Sequence, residues 1–135
     1  MNGTIATTFI VAGVVLEKAS KFLLVQEKQQ KVYGLWNLPA GRVEVGDTIE
    51  KTAVKEAKEE TGFTVKLGKK IALIHEEVTK PVIHIFAADI IEGGLHYPED
   101  EILAARWFTL EEIKKMASKL RTQWIIDVLE TKTSI

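Results

Sequence analysis

The sequence predicts an α/β fold, an α/β sandwich with a mixed β-sheet. Three observations carry that expectation. Thr4–Leu16 is β-branched and almost continuously apolar, the pattern of a strand inside a core. Residues 48–61 place Ile49, Ala53, Val54 and Ala57 at helical spacing, which makes an apolar stripe able to pack on a sheet. Val82–Ile91, VIHIFAADII, is apolar at both alternating sets of positions, as in a strand covered on both faces. Strands on both sides of one central helix, followed by C-terminal helices, imply an α/β sandwich with a mixed sheet.

Taken in order, the apolar run Phe9–Leu16 is shorter than the roughly 20 residues that span a bilayer. No basic residue precedes it, so it does not read as a signal peptide either. Glu17–Ser20 is a turn, and Phe22–Gln26 is the hairpin partner of the first strand. Glu27–Gly34 is a charged loop, and Trp36–Pro39 leads into Gly41–Val45, a short strand or turn. The central helix runs over Thr48–Thr61. Asp47 or Thr48 is its N-cap, with Glu50 three residues after Asp47 in capping-box position, and Gly62 is its left-handed C-cap. Val65–Leu67 and Ile71–Glu77 are extended segments separated by Gly68, and Thr79–Pro81 turns into the strand Val82–Ile91. A loop, Glu92–Glu101, precedes a strand over Ala104–Thr109. Thr109 then caps a short helix with Glu112 completing the box, and a last helix covers Thr122–Thr131.

With 135 residues the chain is expected to be one domain, 1–135,. Its hydrophobic content of 46% and charged content of 27% are those of a globular protein,. Eighteen basic against nineteen acidic residues give a net charge of −1, which leaves no global basic field for a nucleic-acid polymer. Cysteine is absent, so disulfides, thiolate metal sites and a thiolate nucleophile are excluded. The expected setting is cytoplasmic, with no membrane partner.

The central helix carries an expensive feature. Glu56, Glu59 and Glu60 fall at i, i+3 and i+4 near its C-terminal end. Like charges at these spacings repel by about 0.2–0.5 kcal/mol per pair, and the negative end of the helix dipole adds about 0.3–1 kcal/mol for each acid. A bound cation removes the conflict. Hard divalent ions such as Mg²⁺ take carboxylate oxygens, keep several waters and draw their remaining ligands from substrate phosphates.

The stretch Gly41–Phe63, GRVEVGDTIEKTAVKEAKEETGF, resembles the Nudix box, G-x5-E-x7-R-E-U-x-E-E-x-G-U, with U a bulky apolar residue. Gly41, Glu56, Glu59, Glu60 and Gly62 match, Phe63 fills the last U, and Ala57 fills the first with a smaller side chain. Asp47 and Lys55 stand where the pattern has Glu and Arg. A Trp-x-Leu-Pro-x-Gly lead-in, Trp36 to Gly41, precedes the match. The resemblance implies the Nudix-type α/β/α sandwich. It also implies a pyrophosphohydrolase that cleaves a nucleoside diphosphate linked to another group, with Mg²⁺ as cofactor and Mn²⁺ as the alternative. Its metal ligands would be Glu56, Glu59, Glu60 and the carbonyl of Ala40. Lys55, in the place of the Arg that orients a catalytic Glu, either does the same through a point charge or pairs with Glu59 at i+4. Asp47 either reaches the metals through water or is chiefly a helix cap.

Family members often add a loop acid, and Glu101, beside Glu99 and Asp100, is the first choice for metal ligand or base. The expected catalytic set is therefore Glu56, Glu59, Lys55 and Glu101. Arg42, next to the motif glycine, is a phosphate contact or a surface ion pair. Trp36 stacks on a nucleobase or plugs the core. Lys28, Lys31 and Tyr33 are candidates for the pocket mouth, and His84 reads as a core histidine. The partner is a small nucleotide, a nucleoside triphosphate or modified nucleotide before ADP-ribose or a dinucleoside polyphosphate, and the protein is a monomer or homodimer. The competing functions are a nucleotide sensor without turnover and a plain interaction domain.

Overall fold

A computed structural model of the chain describes residues 8–133. Strand β1 (Ile10–Lys18) and strand β2 (Lys21–Glu27) form a hairpin. Its turn, Ala19–Ser20, has φ of +51° and +63°, the paired positive values of a type I′ turn. The two strands stay paired only at Glu17↔Phe22 and Lys18↔Lys21 and then diverge. Strand β3 (Trp36–Asn37) pairs with β2 inside the fork, and strand β4 (Ala40–Arg42) pairs with β1. This fork positions everything described below.

Beyond the fork, β1 runs parallel to β6 (Val82–Gly93), from Ile10↔Val82 to Leu16↔Ala88. β6 pairs antiparallel with β5 (Phe63–Ile74), and β7 (Ile102–Phe108) pairs antiparallel with β2. The sheet is therefore mixed, as expected. Helix α1 (Ile49–Thr61) lies on one face. Helices α2 (Leu110–Lys115) and α3 (Trp124–Thr133) lie on the other.

Alternation along the strands builds two cores, because successive side chains point to opposite faces. Ala12, Val14 and Leu16 of β1 pack with Leu23 and Val25 against Ala53 and Ala57 of α1. Val15, Phe22 and Leu24 pack with Ile113, Ile125 and Leu129. Ile85 and Phe86, adjacent on β6, belong one to each core, as the two-sided apolarity of that segment requires.

The observed elements differ from expectation where chemistry other than hydrophobic period decides. The first strand begins at Ile10, and the part expected over residues 4–7 lies outside the described residues. Thr48 is the cap of α1, its hydroxyl accepting from the Lys51 N–H. Asp47 is not the cap, and no box forms with Glu50. Gly62, with φ of +83°, ends the helix by donating its N–H to the Lys58 carbonyl at 2.9 Å. The two extended segments expected around Gly68 are one strand, β5. Its register slips between Leu67 and Lys70, so the glycine sits in an irregularity within the strand rather than ending it. The box at Thr109 and Glu112 is present in both directions.

Candidate active site

Glycine at position 41 is what lets α1 touch β4. A β-carbon there would collide with the Glu56 side chain, so only hydrogen admits the Glu56 carboxyl against the strand. One turn on, Glu60 Oε1 accepts the Ala40 N–H at 3.1 Å. Ala40 lies opposite Gly13 on β1, between ladder bonds at Val14 N–Pro39 O and Val43 N–Ile10 O. The alternation of an antiparallel ladder therefore turns its N–H and carbonyl away from β1. Helix and strand are joined through the two acids themselves.

The cleft in the fork has a volume of about 580 Å³. Its acids come from three places: Glu56 and Glu60 from α1, Glu27 from the end of β2, and Asp100 and Glu101 from the turn before β7. Lys28, Arg42 and Arg121 form a basic rim. Burial pushes the Glu60 carboxyl well above its usual range, and the Glu56 charge adds to the shift against the Ala40 N–H. Glu27 and Glu101 push it further the same way. Glu56 is raised chiefly by burial and then by Glu59. Glu27 is raised by burial, against Arg121 at 3.3 Å and a hydrogen bond with Asn37.

The Glu56 and Glu60 carboxyls border the same cleft, and the Glu56 charge is the second cause, after burial, of the Glu60 shift. A neighbouring carboxylate disfavours ionisation of Glu60, and a proton or a cation at the cleft relieves that repulsion,. Among the described residues, however, no three His, Cys, Asp or Glu side chains converge tightly enough to hold a metal unaided. The all-oxygen donor set suits a hard cation that takes few protein ligands and completes its shell with water and phosphate.

The sequence-predicted residues are distributed as follows. Glu56, Glu60, Ala40, Arg42 and Glu101 border the cleft. Arg42 stacks its guanidinium 3.8 Å over the Phe9 ring and makes no ion pair among the described residues. Glu59 is exposed and outside the cleft wall, acting on Glu56 through its charge. Lys55 pairs neither with Glu59 nor with a cleft acid. Its ammonium lies 3.3 Å from Asp47, because helical side chains lean toward the N-terminus and a lysine reaches back over the turns between them. Trp36 is 6% exposed, edge-on to Phe108 at 5.0 Å, so it is a packing residue rather than a base-stacking one. Lys28 borders the cleft and donates to the Glu99 carbonyl at 2.7 Å, whereas Lys31 and Tyr33 lie outside it. His84 is half-buried on the α1 face, beside Ala12, with Nδ1 unpaired.

Sequence reasoning missed Glu27, Asn37 and Arg121. Glu27 carried a faint signal: it is the next core-facing step after Leu23 and Val25 in a period-2 strand. Arg121 carried none. Its position comes from a bond between its backbone N–H and the Trp36 carbonyl, 2.8 Å long, across the fork.

The NUDIX domain model matches residues 7–128. A Caenorhabditis elegans protein described as putative nudix hydrolase 1 is 32% identical over 126 residues, 90% of this chain and 34% of its own length. A Methanocaldococcus jannaschii ADP-ribose pyrophosphatase is 34% identical over 107 residues, 76% of this chain and 63% of its own. The chain thus spans between a third and just under two thirds of these two relatives. A solved NUDIX hydrolase from Nitrosomonas europaea superposes with a TM-score of 0.84 over 95% of this chain and 90% of its own, at 24% identity, which concerns the fold alone.

Proposed function

The chain belongs to the NUDIX domain family, and on that premise we propose that it is a divalent-metal-dependent pyrophosphohydrolase. Its substrate is a nucleoside diphosphate carrying another group, most simply a nucleoside triphosphate or a modified nucleotide. The name of the archaeal relative, an ADP-ribose pyrophosphatase, supports the nucleotide class. The observation that carries the reading is the placement of Glu56 and Glu60 on the wall of one cleft, Glu56 packed over Gly41 and Glu60 accepting the Ala40 N–H, with Lys28, Arg42 and Arg121 on the rim.

Glu56, Glu60 and the Ala40 carbonyl would hold Mg²⁺ or Mn²⁺. When bound, the cation neutralises phosphate oxygens and lowers the pKa of its water. The rim cations bind the remaining phosphate oxygens, Arg through its fork and Lys as a point charge. The Ala40 N–H keeps the Glu60 carboxyl turned toward β4. Glu101, bordering the same cleft, accepts the proton of the attacking water as the bond to the leaving phosphate breaks.

A nucleotide panel with Mg²⁺ and product identification tests this. Turnover that falls by about 10²-fold or more in Glu60→Gln and in Glu101→Gln is the expected result, in line with the loss of a general base or its neighbour. Tight nucleotide binding without turnover would favour a sensor instead.

A further inference from the structure

Glu101 stands on a segment, residues 94–101, that joins β6 to β7 without helix or strand. The first half of that segment is fixed to the end of α1. The His96 N–H donates to the Thr61 carbonyl at 2.9 Å, and Tyr97 packs against the core on the α1 face. The half that carries the acids is a turn closed on itself. The Glu101 and Ile102 N–H groups both donate to the Pro98 carbonyl, at 3.0 and 2.9 Å. Bonds inside a turn set its shape but not its tilt against the cleft.

The tilt is set from the β2 side. The rungs Gln26↔Ala104 and Glu27↔Ile102 pass over Leu103, a bulge of the kind that ends pairing and re-aims the chain beside a site. Lys28, the residue after the last rung, reaches the turn through its side chain instead. Its Nζ donates to the Glu99 carbonyl at 2.7 Å, across 71 positions of sequence. A bond from an ionised donor is roughly twice as strong as one between neutral groups. An ammonium has three N–H donors, and the carbonyl engages one of them. Lys28 also borders the cleft, so the same nitrogen can hold the turn and a phosphate oxygen together.

We propose that Lys28 is the positioning residue for Glu101, its ammonium tying the turn through the Glu99 carbonyl to a phosphate bound in the cleft. The inference rests on the hydrolase reading above and adds what aims its base. A reacting group displaced by about 1 Å can cost on the order of 10²-fold in rate, and an acid on an exposed turn holds its place only if the turn is tied from outside.

Two variants of the whole chain test this, each made in the native and in the Glu101→Gln background. Lys28→Met keeps an apolar stem and loses the ammonium, whereas Lys28→Arg keeps charge and donors. Lys28→Met is expected to lower kcat by about tenfold or more, as a misaimed group does, and Lys28→Arg to stay within a few-fold of native. In the Glu101→Gln background Lys28→Met should cost no further kcat, because residues that act as a unit are not additive. Backbone ¹⁵N relaxation of the ligand-free chain should show lower order at residues 99–101 in Lys28→Met and native order in Lys28→Arg. Thermal melts confirm that each variant folds. A kcat loss of equal size in both backgrounds, a loss confined to KM, or unchanged order at residues 99–101 in Lys28→Met overturns the proposal. The relaxation measurement needs no turnover, so an inactive nucleotide panel refutes the hydrolase reading separately.

Discussion

Glu56 lies over Gly41 so closely that a β-carbon there would fall inside contact distance of Cδ, Cγ and Oε1 together. The obstructing atoms are a flexible side chain and not backbone, so the carboxyl can move aside while the helix stays. Gly41→Ala is therefore expected to change the thermal midpoint little and to lower kcat/KM by about 10²-fold, the penalty of a misplaced group at a reacting centre. Activity assays beside melting curves check it. Normal activity in a folded Gly41→Ala would show that the Glu56 position is incidental.

The Asp47–Lys55 pair joins the two positions at which the motif departs from its pattern. Both side chains are part-exposed, 32% and 41%, and exposed pairs add little stability. The helix start depends instead on Thr48. Thr48→Ala is expected to destabilise by about 1 kcal/mol, the usual loss on removing a cap, whereas Asp47→Asn leaves denaturant midpoints almost unmoved. The reverse order would make Asp47 the cap.

His84 should titrate below its ordinary value of 6.5, held down first by burial and then by the Lys70 ammonium, against the pull of Glu50. The neutral ring is the form the fold prefers. Its contribution to stability is full above pH 6.5 and is lost as pH falls through the lowered folded-state value. Imidazole proton shifts followed by NMR give that value. Melts of His84→Gln should lose the part of the acid-side decline that belongs to this ring. A titration midpoint at or above 6.5 would contradict the burial argument.

Local chemistry was readable from the sequence, and long-range convergence was not. Helix α1 was legible because its apolar stripe, its acids and its glycine cap lie within consecutive turns. The same holds for the Thr109–Glu112 box. The choice of cap was not legible, since Asp47 and Thr48 are both competent and only the bond from the Lys51 N–H to the Thr48 hydroxyl separates their roles. β5 was split in error because glycine marks both strand ends and strand irregularities. Trp36 had two readings of equal chemistry, and Phe108, 72 positions away, decides between them. Of the α1 acids singled out, Glu56 and Glu60 border the cleft and Glu59 does not, and their neighbours Glu27 and Arg121 were not singled out. The divergence of β1 and β2 gathers residues 27, 56, 101 and 121 around one cleft, and no local pattern foretells that.

The most direct measurement is thermal unfolding of the native chain and of Glu60→Gln across a MgCl₂ titration, at constant ionic strength. A cation bound by the folded state stabilises it by RT ln(1 + [L]/Kd), about 2.7 kcal/mol at a hundred times Kd. The native chain is expected to show a saturable rise in midpoint, and Glu60→Gln little or none. A native midpoint that stays flat with Mg²⁺ and with Mn²⁺, nucleotide present or absent, would contradict a metal-dependent site between Glu56 and Glu60.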